Sequence, residues 1–264
     1  MSPSAATPSF AGGWPEPFRV AWVEQTGSTN ADLLTLARDG GEHGLVLVAD
    51  HQSAGRGRLG RTWSAPPGGA LLCSVLLRPP PGAVVHGGVW AMALAARAAV
   101  RDAAGRAGEA AEIKWPNDVM VGDRKLAGIL AEAVTASDRA GTIDAIVVGI
   151  GLNVGWVSAP PDVAARAVTL EELSGRSIER RALLLSLLCE LAPLLALWAA
   201  APDALVARYR AGLGSIGRMV RVTLPDREEE GEAVDVTAEG ALVVMTAGGP
   251  VTVSAGDVVH LRPV

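Results

Sequence analysis

Two stretches hold the residue types from which anion chemistry is built. The first is HQSAGRGRLGRTW, residues 51–63, where Arg56, Arg58 and Arg61 are interleaved with Gly55, Gly57 and Gly60. Glycines let main-chain N–H groups face an anion, and guanidinium forks meet phosphate or carboxylate oxygens in pairs. Such a loop can fold around an anionic ligand; a solvated basic loop is the plainer alternative. The stretch also satisfies GxGxxG after a β-like run, yet two features exclude a dinucleotide fingerprint. Trp-Ser-Ala-Pro-Pro-Gly-Gly follows, which cannot open a helix, and no acidic residue occurs between 51 and 101 to hold a ribose. No Gly-Lys-Ser/Thr closes it as a Walker loop either.

The second stretch is KWPNDVMVGDRKLAGILAE, residues 114–132. It contains Lys114 and Lys125, the only two lysines among 23 basic residues. A chain that otherwise uses Arg keeps Lys where a compact ammonium matters; the competing explanation is that compositional drift left two survivors by chance. β-like runs flank a turn at Gly122-Asp123, and on neighbouring antiparallel strands two such lysines can face one pocket. An ammonium pair there would neutralise a phosphoryl centre or polarise an acyl group. Asn117 and Asp118 follow the rigid Trp115-Pro116 corner and can orient polar groups, while Gly128 permits close backbone approach. A third stretch, VVGIGLNV at 147–154, joins close-approach glycines to Asn153, whose amide suits a base edge. Alone it is weak, since an Asn near a strand end is often a turn residue.

The elements that must position these residues follow from pattern. Ser28-Thr29-Asn30 offer cap side chains for a helix to Arg38, stopped by Gly40-Gly41. Residues 45–50 and 70–79 read as buried strands, and 89–104 as an Ala-rich helix. From Glu112 to Val154 the texture is short β runs; helices are expected at 167–173, 179–200 and 202–211. MVRVTL, EAVDVT, ALVVMT and VTVSA then make evenly spaced short strands, which suggests a small β-barrel. The expected division is a flexible tail at 1–17, a catalytic domain at 18–213 and a C-terminal β domain at 214–264.

Residues 182–201 carry 17 apolar residues in 20, long enough to span a bilayer. Ser186, Glu190 and Pro193, however, mark a less apolar stripe opposite Leu184, Leu187, Leu188, Leu191, Leu195 and Trp198. A mid-span acid would cost roughly 2.5–3.5 kcal/mol on insertion, so a packed core helix is expected. The whole chain is 49% hydrophobic with net charge −5, which supports a sizeable core and argues against a generic nucleic-acid binder. Cys73 and Cys189 lie in apolar runs and fit neither a disulfide framework nor a zinc site, which suits a reducing cytoplasm. The first 17 residues lack the positive n-region of a secretory signal.

In this order the motifs resemble those of the biotin protein ligases, the biotin–[acetyl-CoA-carboxylase] ligases. The resemblance rests on STN at 28–30, Gln52 with GRGRLGR at 55–61, KWPND at 114–118, KLAG at 125–128 and GIGLN at 149–153. It is close over 28–154 and extends in texture to the rest. It implies an α+β fold: a catalytic domain like that of class II aminoacyl-tRNA synthetases, with a mixed sheet and helices, and a C-terminal SH3-like β-barrel. It implies ATP-dependent formation of biotinyl-5′-AMP with Mg²⁺, then transfer of biotin to a lysine of a biotin carboxyl carrier domain of acyl-CoA carboxylases.

Carried onto this chain, Ser28, Thr29, Asn30 and Gln52 would bind biotin, with Arg56, Gly57 and Arg58 forming a biotin and adenylate loop that is disordered until ligand arrives. Arg61 would hold ATP phosphates. Lys114 would bridge the biotin carboxylate and α-phosphate, and Lys125 with Gly128 would hold the biotinyl carboxyl. Asn153 would read adenine with Asn117 nearby, and Asp118 would ligate Mg²⁺ or help deprotonate the incoming lysine. Trp63 and Trp115 would wall the pocket. Bifunctional relatives carry a DNA-binding winged helix before STN, whereas 27 residues precede Ser28 here, so no operator binding is expected. No DNA or membrane partner is implied, and nothing marks an oligomer beyond a monomer or weak homodimer. Lipoate or octanoyl transfer on the same fold, and a biotin-sensing regulator without turnover, are the rival readings.

Overall fold

The computed structural model describes residues 8–135, 142–156, 161–223, 227–254 and 256–260. The first part of the chain runs β1 (Arg19–Thr26), α1 (Thr29–Arg38), β2 (Leu45–Gln52), β3 (Ala70–Leu77), α2 (Gly87–Ala104), β4 (Ala111–Lys114), β5 (Asp118–Val121), β6 (Arg124–Thr135) and β7 (Ile143–Asn153). It continues through α3 (Pro161–Ala164), α4 (Leu170–Ser174), α5 (Arg180–Ala200) and α6 (Pro202–Gly212). Seven strands form a mixed sheet in the order β1-β2-β3-β7-β6-β5-β4, with β1 and β2 parallel and the other neighbours antiparallel.

Successive residues of a strand face opposite sides of its sheet, and both sides are covered here. Leu47, Leu76 and Val147 meet α1 through Leu33, Leu34 and Ala37. Val46, Val48, Val75 and Val148 belong to the larger core shared with α2 and α5. That two-sided burial explains why β2 and β3 are nearly continuous apolar runs.

Helix α5 buries Leu183, Leu184, Leu187, Leu188, Leu191, Leu194, Leu195 and Trp198 and packs on α2. Its length and composition alone would let it cross a membrane, but its apolar face is spent on the core, and Ser186 on the other stripe donates to Asp102 at 3.0 Å. Residues 8–17 do not hang free as a tail: Ala11 pairs with Val20, and the Arg181 guanidinium lies 4.7 Å above the Trp14 ring. Residues 1–7 of that expected tail lie outside the described residues.

The chain ends in β8 (Met219–Thr223), β9 (Glu228–Val236), β10 (Leu242–Thr246), β11 (Gly249–Val253) and β12 (Asp257–His260). These form an antiparallel sheet in the order β11-β10-β9-β8-β12. Among the described residues its edges β11 and β12 are not hydrogen-bonded to each other, so the sheet is open and not the closed barrel expected. Two strands escaped pattern reading. In β1, RVAWVEQT, two of eight residues are buried and the alternation is faint, and β12 has only four residues.

Candidate active site

The N-terminus of α1 abuts the sheet where β3 carries its one hydroxyl, Ser74, fully buried. Ser28 occupies the N-cap position with extended backbone, yet its side chain makes no cap bond. The capping expected of Ser28-Thr29-Asn30 gives way to tertiary bonds. Thr29 donates from its backbone N to Gln52 Oε1 (2.8 Å), and its hydroxyl lies 3.0 Å from the same oxygen and 2.7 Å from Ser74 Oγ. Ser74 in turn donates to Asn30 Oδ1 at 2.6 Å. All three α1 and β3 side chains are buried, so these bonds form in a medium where leaving one unmade costs about 1–3 kcal/mol.

From this polar end a cleft runs across the sheet between α1 and the glycine-arginine loop. Its empty volume, open mouth included, is about 850 Å³. Its floor is cut by glycines on adjacent strands: Gly128 of β6 pairs with Gly151 of β7, and Gly149 pairs with Leu130. A Cβ on Gly149 would stand 2.2 Å from Asn30 Oδ1, and one on Gly151 would lie 2.3 Å from the Trp63 ring. The close-approach reading of these glycines holds, and the groups that approach come from α1 and the loop.

The ammonium of the cleft is Lys125. Its Nζ lies 2.7 Å from Asp118 Oδ1 and 5.5 Å from the Trp63 ring centroid; a Cβ on Gly128 would collide with it at 2.8 Å. The loop arches over as a small hairpin. Arg56 bridges Thr62, Gly57 N donates to Arg61 O (2.7 Å) and Trp63 N to Gly55 O (3.0 Å). At its tip Leu59 is 70% exposed with φ of +55°, a left-handed backbone uncommon for a branched aliphatic residue. Arg58 donates to Asn117 Oδ1 at 3.2 Å and to the Gly256 carbonyl at 3.4 Å, joining the loop to both sheets.

The Trp115-Pro116 corner is pinned from outside the first sheet. Trp115 N donates to Ser215 Oγ (3.1 Å), its indole N–H to Gly240 O (2.9 Å), and Tyr209 OH to Pro116 O (2.8 Å). Burial pushes the Tyr209 phenol well above its usual range, so it donates as a neutral hydroxyl. Asn117 Nδ2 donates to Ile129 O at 2.5 Å. Trp115 is therefore a buried support for Asn117 and Asp118, and it lines the adjoining hollow that shares Arg58, Asn117, Ile129 and Leu130 with the cleft.

Ser28, Thr29, Asn30, Gln52, Arg56, Gly57, Arg58, Arg61, Trp63, Asn117, Asp118, Lys125 and Gly128 all line this one cleft. Lys114 and Asn153 do not. Lys114 stands opposite Asp118 on the edge strand β4, two strands out from Lys125 with β5 between them, so the two lysines are not on neighbouring strands as their spacing suggested. The Lys114 charge acts on His260 of β12. Asn153 spends both amide hydrogens on main-chain carbonyls, those of Lys125 and Val168, at 3.2 Å each; it fixes the strand that carries Lys125. Sequence reasoning missed Ser74 and Glu132. Ser74 was signalled by being the only hydroxyl in ALLCSVLL. Glu132 had no local signal. Cys73 also touches the cleft, but burial raises its thiol to about 12 and keeps it protonated.

Comparison with known proteins agrees with this geometry. The Biotin/lipoate A/B protein ligase family matches residues 22–153, and the Biotin protein ligase C terminal domain matches 215–261. The chain is 43% identical over 246 residues to a biotin–[acetyl-CoA-carboxylase] ligase of Mycobacterium tuberculosis, covering 91% of this chain and 88% of that one. It is 32% identical to another from Paracoccus denitrificans, covering 89% and 98%. Among solved structures, the Aquifex aeolicus biotin protein ligase in complex with biotin and ATP superposes with a TM-score of 0.77 at 26% identity, over 92% and 99% of the two chains. A cleft with a hydrogen-bonding end, a cationic middle and an arginine loop, on two matched domains, makes this chain a member of the biotin protein ligase family.

Proposed function

We propose that this cleft activates biotin with ATP and passes it to a lysine of a biotin carboxyl carrier domain. One observation carries the reading: a cleft with a neutral hydrogen-bonding end at Thr29 and Gln52 leads directly to an ammonium, Lys125, under an arginine loop. That arrangement suits a ligand with a polar uncharged head and a carboxylate tail, beside a phosphate. In the first step a biotin carboxylate oxygen attacks the α-phosphorus of ATP, the bond to the β-phosphate oxygen breaks, and pyrophosphate leaves. In the second, the acceptor amine attacks the acyl carbon, loses a proton, and expels AMP.

The chain's own residues serve these steps by position and charge. Thr29 and Gln52 hold the ureido head, with Ser28 and Asn30 behind them. Lys125, the ammonium that lines the cleft, suits the bridging role between carboxylate and α-phosphate better than Lys114, which stands outside the cleft lining on the edge strand. Arg56, Arg58 and Arg61 close over the adenylate and exclude water from a hydrolysable anhydride. Trp63 backs the nucleotide, and Asn153 acts by holding β6 from outside the cleft lining.

Among the described residues no cluster of three Asp, Glu, His or Cys side chains could cage a metal, and Asp118 is engaged by Lys125. This donor set does not form a metal site of its own. Asp118 is better placed to steer Lys125 and the incoming amine. Residues 18–213 form the catalytic unit in this reading and 214–264 the module that braces it, in a reducing cytoplasm. Neither DNA nor a membrane enters it, and a monomer or weak homodimer suffices.

The test is incubation with biotin, Mg-ATP and a carrier domain, followed by the intact mass of the carrier. A gain of one biotinyl group, lost when the carrier's acceptor lysine is replaced, is expected. An unmodified carrier, or one modified only when lipoate replaces biotin, overturns the reading.

A further inference from the structure

Glu132 closes the 114–132 stretch on β6 without a role read from the sequence, yet two lines of contact end on one of its oxygens. Arg56 of the loop reaches Oε2 at 3.1 Å, and Asn30 Nδ2 donates to the same atom at 2.8 Å. An ionised carboxylate accepts hydrogen bonds and cannot donate them. Together with the Leu130 carbonyl, which also accepts from Asn30 Nδ2 at 3.2 Å, it fixes the Asn30 amide with its nitrogen toward Glu132 and its oxygen toward Ser74. Ser74 must then spend its only proton on Asn30 Oδ1, at 2.6 Å, and can meet Thr29 only as an acceptor. The single Thr29 hydroxyl proton goes to Ser74 Oγ (2.7 Å) or to Gln52 Oε1 (3.0 Å). On either choice it stays inside the protein, and the Thr29 oxygen offers the cleft lone pairs alone.

We propose that Glu132 is a positioning residue that sets the hydrogen-bond polarity of the inner cleft, making Thr29 an obligate acceptor for a ligand N–H, and that it latches the loop through Arg56. The relay is buried at Thr29, Asn30 and Ser74, so no solvent is at hand to relax a reversed arrangement. The selected chemistry is a neutral ring nitrogen that bears hydrogen. This deepens the biotin reading of the cleft and rests on it.

Glu132→Gln tests the inference, because a Gln side chain can donate as well as accept and removes the charged acceptor at 2.8 Å, leaving the Asn30 amide held in its orientation by the Leu130 carbonyl at 3.2 Å alone. Biotin and a biotin methylated on a ureido nitrogen are the probes, compared by calorimetric binding and by adenylate formation. The wild type is expected to favour biotin. Glu132→Gln is expected to shrink that preference at least tenfold, with the loss falling on KM for biotin more than on kcat, and to speed biotin release. Ser74→Ala cuts the relay while leaving the Arg56 latch, so the preference should shrink without faster release; it also serves if Glu132→Gln fails to fold. An unchanged preference in a variant that still binds biotin overturns the role of Glu132 alone. A wild type that binds neither probe overturns the biotin reading together with it.

Discussion

At Lys125 three constraints meet: Asp118 Oδ1 at 2.7 Å, the Trp63 ring at 5.5 Å, and Gly128, whose missing side chain leaves room for Nζ. A planar guanidinium would not fit that space, so Lys125→Arg should fail nearly as badly as Lys125→Ala. Losing a charge aimed at a developing anion typically costs about 10²–10³ in rate. Biotin-dependent ATP–pyrophosphate exchange should therefore fall by roughly that factor in Lys125→Ala and by much less in Lys114→Ala; equal losses would refute the assignment. The scarcity of lysine pointed to the β4-β5-β6 run, in which Lys125 lines the cleft, but did not rank the two lysines. Their ranking depends on how far each strand stands from the cleft, and a register shift between Val119 and Met120 hides that from spacing alone.

The floor glycines belong to strands but are constrained by different neighbours, which separates stability from function. On Gly149→Ala the new Cβ meets Asn30 Oδ1 at 2.2 Å and Ser74 Oγ at 3.1 Å, both buried and unable to retreat. Overpacking of this kind costs about 1–3 kcal/mol, so thermal unfolding should shift down measurably. On Gly151→Ala the obstacle is Trp63, half-buried on a loop, which can swing away. That variant should unfold near the wild-type temperature while losing ATP affinity, as read by calorimetry. GIGLN showed in sequence that something must come close. It could not show that α1 and the loop do so, because those contacts span 119 residues in one case (Asn30 to Gly149) and 88 in the other (Trp63 to Gly151). Elements with clear periodicity, α1 and α2, were legible, and α5 was legible from its length and apolar content; β1 and β12 depend on pairing partners for their existence.

Across the whole molecule, the C-terminal sheet grips the corner that carries Asn117 and Asp118. Ser215 binds Trp115 N and also lies 2.9 Å from His260 Nε2. Burial first, then the Lys114 and Arg218 charges, lowers the His260 pKa from 6.5 to about 4, with Asp123 opposing. Above pH 6.5 the ring is neutral whether the chain is folded or not. Between 6.5 and about 4 only the unfolded chain takes up the proton, so stability drains away as pH falls through that window. His260→Gln should flatten this part of the dependence, measured as the difference in unfolding temperature between about pH 7 and about pH 5. An unaltered slope would place its origin elsewhere. The same architecture leaves the chain with two side-chain amines, Lys114 and Lys125, both half-buried on the outer strands of the β4-β5-β6 run. An amine-acylating footprinting reagent thus has almost nowhere else on the side chains to react, and its mass map becomes a direct occupancy gauge for the cleft. By the same count, a catalyst that handles an activated acyl group carries very little of the nucleophile which that group seeks, and so is a poor target for its own escaping product.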